Sequence, residues 1–211
     1  MNRESDVIRN LFRAYYLENH WRGTESRSGK GSSLDRGQFL AERIPLIMES
    51  LAIKSILDVP CGDMNWMSKF PLPKIDYIGV DIAPEIIVIN KNKHGRLGQF
   101  FCLDACHDPL PDADLVFCRD LLPHLSNDLI RKFLANVCQT KGAWLLCGRF
   151  LGQLGPKAVN SDIGVGGFRA IDLCEPPFRL PPPTIMAPEL IHKWKTLALW
   201  PICEIRKAMG H

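Results

Sequence analysis

The sequence predicts an α/β fold with a doubly wound, mostly parallel sheet of seven strands and helices on both faces. Short apolar runs that end in turn residues alternate with segments of helical periodicity, a pattern typical of strands joined by crossover helices. The runs are apolar along their whole length rather than at every second residue. Such runs indicate strands that helices cover on both sides.

The composition narrows the class of protein. The chain has 211 residues, 46% hydrophobic and 23% charged, which excludes disordered, collagen-like and coiled-coil proteins. Its formal net charge of +3 is too small to argue for nucleic acid as a partner. There is no run of 18 apolar residues, no apolar signal-peptide core at residues 1–6, and no Cys-x-x-Cys pair among the eight cysteines. We therefore expect a cytoplasmic protein with reduced thiols and no membrane contact.

The N-terminal part differs in pattern from the rest of the chain, with one predicted helix followed by a polar segment. Apolar residues at helical spacing predict a helix over residues 7–17. Residues 21–37 are polar and rich in glycine and serine, which predicts either a lid-like loop or a solvated arm. A second helical pattern begins at Gln38. We therefore divide the chain into an N-terminal helix and loop, residues 1–37, and one domain over residues 38–211.

The predicted strands and helices follow in order. Five apolar runs are predicted as strands: Ser55–Val59, Tyr77–Asp81, Gln99–Asp104, Ala113–Cys118 and Ala143–Cys147. A helix is predicted to open at Met64, a second to have Pro84 as its first residue, and a third to be capped by Ser126. In the proline-rich last third we predict strands near 184–187 and 196–200 and a helix near 188–194.

Acidic residues follow several predicted strands. Asp58, Asp81, Asp104 and Asp120 come at or just after the ends of the first four, the edge at which open parallel sheets bind ligands. Asp81 lies 81 − 58 = 23 residues after Asp58, a spacing that suits an acid accepting two ribose hydroxyls. The alternative is that these acids are only turn or capping residues. The occurrence of an acid at the end of each of four successive predicted strands favours a ligand site.

These motifs resemble those of class I S-adenosylmethionine-dependent methyltransferases, a resemblance that implies a Rossmann-like fold. Ile56–Asp63 resembles the motif that binds the methionine part of the cofactor, and Asp81 matches the acid that holds the ribose. Asp104 and Ala105 match the motif against the adenine, and residues 114–125 resemble the fourth motif. A bacterial subgroup shares the stretch Asp-Val-Pro-Cys-Gly-Asp-Met-Asn-Trp at residues 58–66.

The resemblance implies S-adenosylmethionine as cofactor and a set of contacts along these motifs: Trp21, Ser32, Asp58, Pro60, Cys61, Gly62, Asp63, Trp66, Asp81, Ile82, Asp104, Ala105, Arg119, Asp120 and Leu121. Of the three glycines usual in the first motif only Gly62 is present, because Pro60 and Met64 take the flanking places. This departure argues against a nicotinamide dinucleotide site, whose pyrophosphate needs all three. Asp63 as a helix cap and Trp66 as a core residue remain alternatives.

Two residues are candidates for the proton acceptor. His124 follows the fourth strand, and an unperturbed histidine pKa of about 6.5 suits proton removal near neutrality. Asp162 follows the fifth strand, where this fold often builds its acceptor pocket, and Asn160 and Arg169 are candidate substrate-binding residues there. The alternatives are a loop histidine bound to backbone and a structural Asp–Arg pair.

The sequence therefore predicts an enzyme that methylates an oxygen or a nitrogen of a small molecule or sugar. An RNA or protein methyltransferase is one alternative, because the loop at 22–36 carries three arginines and one lysine. A protein that binds the cofactor without catalysis is another. No metal site is predicted, since Cys102, Cys106 and His107 lack a fourth ligand.

Overall fold

The chain forms a seven-stranded mixed sheet, mostly parallel, in a computed structural model that describes residues 3–69, 74–151, 160–189 and 195–210. The strands are β1 (Ser55–Asp58), β2 (Asp76–Asp81), β3 (Gly98–Cys102), β4 (Leu115–Cys118), β5 (Trp144–Phe150), β6 (Ile185–Pro188) and β7 (Lys195–Pro201). Their order in the sheet is β3-β2-β1-β4-β5-β7-β6. The predicted fold class is confirmed.

The antiparallel pairs lie near one edge of the sheet. The β1–β2, β2–β3 and β4–β5 pairs are parallel. β7 runs antiparallel to both β5 and β6. Parallel neighbours require crossover connections, which is why helical segments separate the first strands in the sequence.

The helices are α1 (Arg3–Leu17), α2 (Leu34–Ser50), α3 (Pro84–His94), α4 (Asn127–Gln139) and α5 (Ile202–Met209), with 3₁₀ turns at Lys30–Ser32, Met67–Lys69 and Leu122–His124. Pro84 is the first residue of α3, as predicted. The Ser126 hydroxyl accepts the N–H of Leu129 at 3.3 Å, which confirms the predicted cap of α4.

Helix α2 begins at Leu34, four residues earlier than predicted. Gly37 made the segment look irregular, because glycine disfavours helices. The structure gives a packing reason for this glycine. A Cβ on Gly37 would lie 2.3 Å from the Cβ of Trp66, so only glycine allows the two segments to approach.

The prediction that a helix begins at Met64 is wrong. Met64 has φ of +59°, in the left-handed region, which an α-helix does not contain. The first helical residues after it form the single 3₁₀ turn Met67–Lys69. Residues 70–73 lie outside the described part of the chain.

The last third departs from the prediction in two places. Pro188 ends β6 and Glu189 donates its N–H to the Lys195 carbonyl at 2.9 Å, so neither begins the helix predicted near 188–194. Residues 190–194 of that prediction lie outside the described residues. Helix α5 was not predicted, because its buried face has only Ile202 and Ile205.

The chain divides into two compact units, Met1–Ala105 and Cys106–His211. Ile56 and Leu57 are fully buried in the first unit. Phe117, Phe133 and Trp200 are fully or almost fully buried in the second. The division after residue 37 stays a prediction. Across the described ranges, no helix combines the length and the apolar character that crossing a bilayer requires.

Candidate functional site

In the first unit, the carboxyl ends of β1 and β2 are joined through Asp81 and Gly62. β1 and β2 are parallel, so both chains leave the sheet at the same edge. Asp81 Oδ2 accepts the N–H of Gly62 at 3.1 Å, and Oδ1 accepts the N–H of Ala83 at 3.0 Å. Gly62 has φ of +54°, a conformation that favours glycine. The loop and the acid are therefore fixed relative to each other.

The carboxyl group of Asp81 has a pKa closer to neutrality than is usual for an aspartate. Burial raises its pKa to about 6, and the N–H groups of Ala83 and Gly62 oppose that rise. Each carboxylate oxygen has a second lone pair beyond the one that the backbone uses. Asp81 can thus accept hydrogen bonds from two neighbouring hydroxyls of a ligand.

Asp58 and Asp63 are held by side chains that the sequence analysis did not single out. The Tyr77 hydroxyl donates to Asp58 Oδ2 at 2.6 Å, with both residues buried. The Ser26 hydroxyl lies 2.8 and 2.9 Å from the two oxygens of Asp63, and Arg27 donates its N–H at 2.9 Å. Part of the predicted lid is thus fastened to the loop after β1.

The other predicted residues of the first motif lie in that loop or next to it. Pro60 is half-buried, and burial raises the pKa of the Cys61 thiol well above its usual range. Trp66 is buried against Gly37, which favours its interpretation as a core residue. Asp63 accepts the N–H of Asn65 at 3.4 Å, within a turn rather than at a helix start.

The remaining predicted contacts of the first unit are spread over several segments. Trp21 packs edge-on against Tyr15, with ring centroids 5.3 Å apart. The carbonyl of Ser32 accepts the Asn65 side chain at 3.0 Å. Ile82 is half-buried just after Asp81, while Asp104 and Ala105 are buried after β3.

In the second unit, four charged residues form a compact cluster after β4 and around the start of β7. Arg119 binds Glu189 through Nη2–Oε2 at 3.0 Å and Nε–Oε1 at 3.3 Å, and contacts Asp120 at 3.2 Å. Lys195 Nζ lies 2.6 Å from Asp120 and 3.4 Å from Glu189. Burial opposes ionisation of Asp120, yet Arg119 and Lys195 hold its pKa well below the usual range. Arg119 thus pairs with acids of its own chain.

His124 has a defined tautomer. Its Nδ1 lies 2.7 Å from the carbonyl oxygen of Gly167, which can only accept, so Nδ1 carries the proton and Nε2 the lone pair of the neutral ring. Burial lowers the pKa of His124, although Asp120 and the Gly167 carbonyl oppose that shift. Leu121, two residues before Pro123, is half-buried, and its carbonyl accepts the N–H of His124 at 3.0 Å.

Asp162, Asn160 and Arg169 serve to fix backbone. Asp162 accepts the N–H of Asn127, at the start of α4, at 2.8 Å and that of Ile163 at 3.0 Å. These two backbone hydrogen bonds lower the pKa of Asp162. The buried side chain of Asn160 binds the backbone of Asp172 in both directions, at 2.8 and 2.9 Å. Arg169 donates to the carbonyl of Leu122 at 2.8 Å and to that of Ser161 at 3.2 Å. These contacts favour structural roles over the predicted roles in catalysis and substrate binding.

Sequence reasoning missed several residues of these clusters because their partners are far away along the chain: Ser26, Tyr77, Asn90, Glu189 and Lys195. Only Asn90 left a usable signal. It follows Ile86 by four residues and Ile87 by three, so helical periodicity places it on the buried face of α3. Within the described ranges, no group of three His, Cys, Asp or Glu residues is arranged to hold a metal ion.

One family model matches part of the sequence. Residues 56–140, about two fifths of the chain, match the family described as a methyltransferase domain. The matched segment begins in β1 and ends just after α4, and it contains Gly62, Asp81 and His124. No curated protein matches the chain.

Solved methyltransferase structures share the fold. Magnesium protoporphyrin IX methyltransferase from Synechocystis, with bound S-adenosylmethionine, is 10% identical with a TM-score of 0.63, over 94% of this chain and 96% of that one. The 1,6-didemethyltoxoflavin N1-methyltransferase of Burkholderia thailandensis, with S-adenosylhomocysteine bound, is 15% identical with a TM-score of 0.64, over 93% and 87%. The N-methyltransferase NodS of Bradyrhizobium japonicum is 16% identical with a TM-score of 0.51, over 66% and 74%. The chain thus matches a methyltransferase-domain family over part of its length and shares the Rossmann-like fold of these methyltransferases.

Proposed function

We propose that this protein transfers a methyl group from S-adenosylmethionine to an oxygen or a nitrogen of a small molecule. The observation that carries the proposal is the pair formed by Asp81 and Gly62 at the carboxyl ends of two parallel strands. This edge is where open parallel sheets bind ligands, and an acid after the second strand is placed to accept ribose hydroxyls.

The residues of the first unit fit this cofactor. Asp81 offers two oxygens, both already oriented by backbone N–H groups. Gly62 has no side chain, and its left-handed conformation is secured by contacts on both sides. Asp63, held by Ser26, places a carboxylate in the same loop, where it suits the ammonium group of the cofactor. When bound, S-adenosylmethionine would supply a methyl group attached to a sulfonium, from which the neutral thioether is a good leaving group.

His124 is the proposed proton acceptor when the methyl acceptor is a hydroxyl. Its fixed tautomer puts the lone pair on Nε2, and its lowered pKa keeps the ring neutral at physiological pH. A neutral imidazole can remove the hydroxyl proton as the oxygen–carbon bond forms. Asp162 is the weaker candidate, because hydrogen bonds to the backbone lower its pKa. Most of the rate enhancement in such a transfer comes from alignment of the reacting atoms.

A small molecule is the acceptor class that the chain favours. The similar structures named above include methyltransferases for magnesium protoporphyrin IX and 1,6-didemethyltoxoflavin. The net charge of +3 also provides little attraction for a phosphate backbone.

The experiment is an acceptor screen with methyl-labelled S-adenosylmethionine. The purified protein is incubated with a fractionated cell extract, and label is followed into small-molecule, RNA and protein fractions. We expect label in the small-molecule fraction, lost with the Asp81→Ala variant and retained with Asp76→Ala, whose residue is exposed at the other end of β2. Label only in RNA or protein, or no label together with no cofactor binding, contradicts the proposal.

A further inference from the structure

Asn90 of α3 is completely buried, although asparagine is a poor helix former and costly to bury. Its Nδ2 donates to the carbonyl oxygen of Gly62 at 2.7 Å and lies 3.6 Å from Cys61 Sγ. Its Oδ1 is buried and has no hydrogen-bond partner among the described residues. The side chain thus uses its donor and not its acceptor. Packing alone does not explain such a residue.

The donor fixes the loop at the point where Gly62 meets Asp81. The carbonyl of Gly62 and the N–H of Asp63 belong to one peptide group and point in opposite directions. Asn90 binds the carbonyl, and the Ser28 hydroxyl accepts the N–H of Asp63 at 3.0 Å. The preceding peptide directs the N–H of Gly62 to Asp81. Both peptides around Gly62 are therefore held.

We infer that Asn90 is a positioning residue for cofactor binding, which orients the Gly62 peptide so that Asp81 is held ready for the ribose. The inference rests on the proposed function. Without the Asn90 amide, the half-buried Gly62 carbonyl loses its 2.7 Å donor, and its peptide is held by Ser28 at the N–H but no longer by Asn90 at the carbonyl. The loop around Gly62 is then less firmly oriented. Asp81 then loses the Gly62 N–H, which is one of the bonds that lower its pKa against the effect of burial. Loss of Asn90 therefore weakens cofactor binding and makes Asp81 easier to protonate.

The test is the pH dependence of S-adenosylhomocysteine binding, measured by calorimetry between pH 5 and 8 on the full chain. Asn90→Leu keeps the approximate volume and removes the donor. We expect its affinity at pH 7.5 to fall by about tenfold, and the pH at which affinity is half lost to rise by about 0.5–1 unit. Ile87→Ala is the matched control, because Ile87 is buried on the same helix. This control is expected to lower the melting temperature and leave the pH midpoint unchanged.

The outcomes separate the two claims. If the wild type does not bind S-adenosylhomocysteine at any pH, the proposed function fails. If the wild type binds and folded Asn90→Leu has the same midpoint, or Ile87→Ala shifts it equally, the role of Asn90 is overturned. Should Asn90→Leu not fold, Asn90→Ala at low temperature takes its place. If neither variant folds, the test uses the side-chain amide signals of Asn90 in the NMR spectrum of the wild type. We expect these signals to shift when S-adenosylhomocysteine is added. Signals that do not respond overturn the inference.

Discussion

The Asp81 carboxylate and the Gly62 backbone N–H are joined by a 3.1 Å hydrogen bond that ties the end of β2 to the loop after β1. The other oxygen of Asp81 is held by the N–H of Ala83 at 3.0 Å. Backbone groups, which move less than long side chains, therefore orient both oxygens. A ligand with two adjacent hydroxyls therefore meets acceptors that are already oriented, so binding costs little conformational entropy at Asp81.

Cofactor binding should weaken as the pH falls through about 6. Burial raises the pKa of Asp81 to about 6, so above that pH the carboxylate is ionised and both oxygens accept. Below it, protonation occupies one oxygen. Because hydroxyl donors favour the ionised form, binding near pH 6 must also release protons. Calorimetry at pH 6 in two buffers of different ionisation enthalpy measures that release, and equal heats in both buffers would contradict it.

Gly62→Ala should destabilise the protein and weaken cofactor binding. An alanine in the left-handed region costs about 1–2 kcal/mol, and its Cβ would lie 2.6 Å from the Ser28 hydroxyl oxygen. Gly164→Ala is the matched control, since a Cβ at Gly164 meets nothing within 4 Å. Urea denaturation compares the two variants. Equal stabilities would show that the geometry of Gly62 is not required.

Lys195→Met should be strongly destabilising. Lys195 is buried and binds Asp120 and Glu189, so its removal leaves Arg119 as the one cation paired with these two acids among the described residues. Breaking a buried ion pair costs about 3–5 kcal/mol. Lys207→Met removes a lysine whose ion pair with Glu204 is exposed, and should leave the unfolding free energy close to that of the wild type. A small effect of Lys195→Met in urea denaturation would show that the cluster adds little to stability.

His124→Asn should reduce turnover without changing cofactor affinity. Asparagine can keep a donor toward the Gly167 carbonyl but cannot accept a proton, so for a hydroxyl acceptor kcat is expected to fall by about 10²–10⁴-fold. Because burial lowers the pKa of His124, the wild-type rate should stay constant from neutral pH down to below pH 6.5 and fall only at more acidic pH. Steady-state kinetics over this pH range measure both effects. A variant with unchanged kcat would remove His124 from the mechanism.

The sheet could be predicted because its signal is local. Each strand is a short apolar run, and each begins within two residues of its predicted start. The acids after β1 and β2 were found for the same reason, since chain order alone places them at one edge of parallel strands.

The rest depends on contacts between residues far apart in sequence. In the sequence, Gly37 suggests a break in the helix, and only its contact with Trp66 in the structure explains why glycine is there. Nothing in the sequence indicates that Met64 has a positive φ. Asn160 and Arg169 resemble substrate ligands until their backbone partners are known. Burial and partners decide these roles, and only the folded chain supplies them.

The most direct test of the account is the affinity of Asp81→Asn for S-adenosylhomocysteine at pH 7.5, measured by titration calorimetry. The account predicts a loss of at least about tenfold, because the amide replaces one acceptor oxygen by a donor. Asp76→Asn, on the same strand but exposed, should bind as the wild type does. A folded Asp81→Asn protein that binds within twofold of the wild type would contradict the assignment of Asp81 to the ribose.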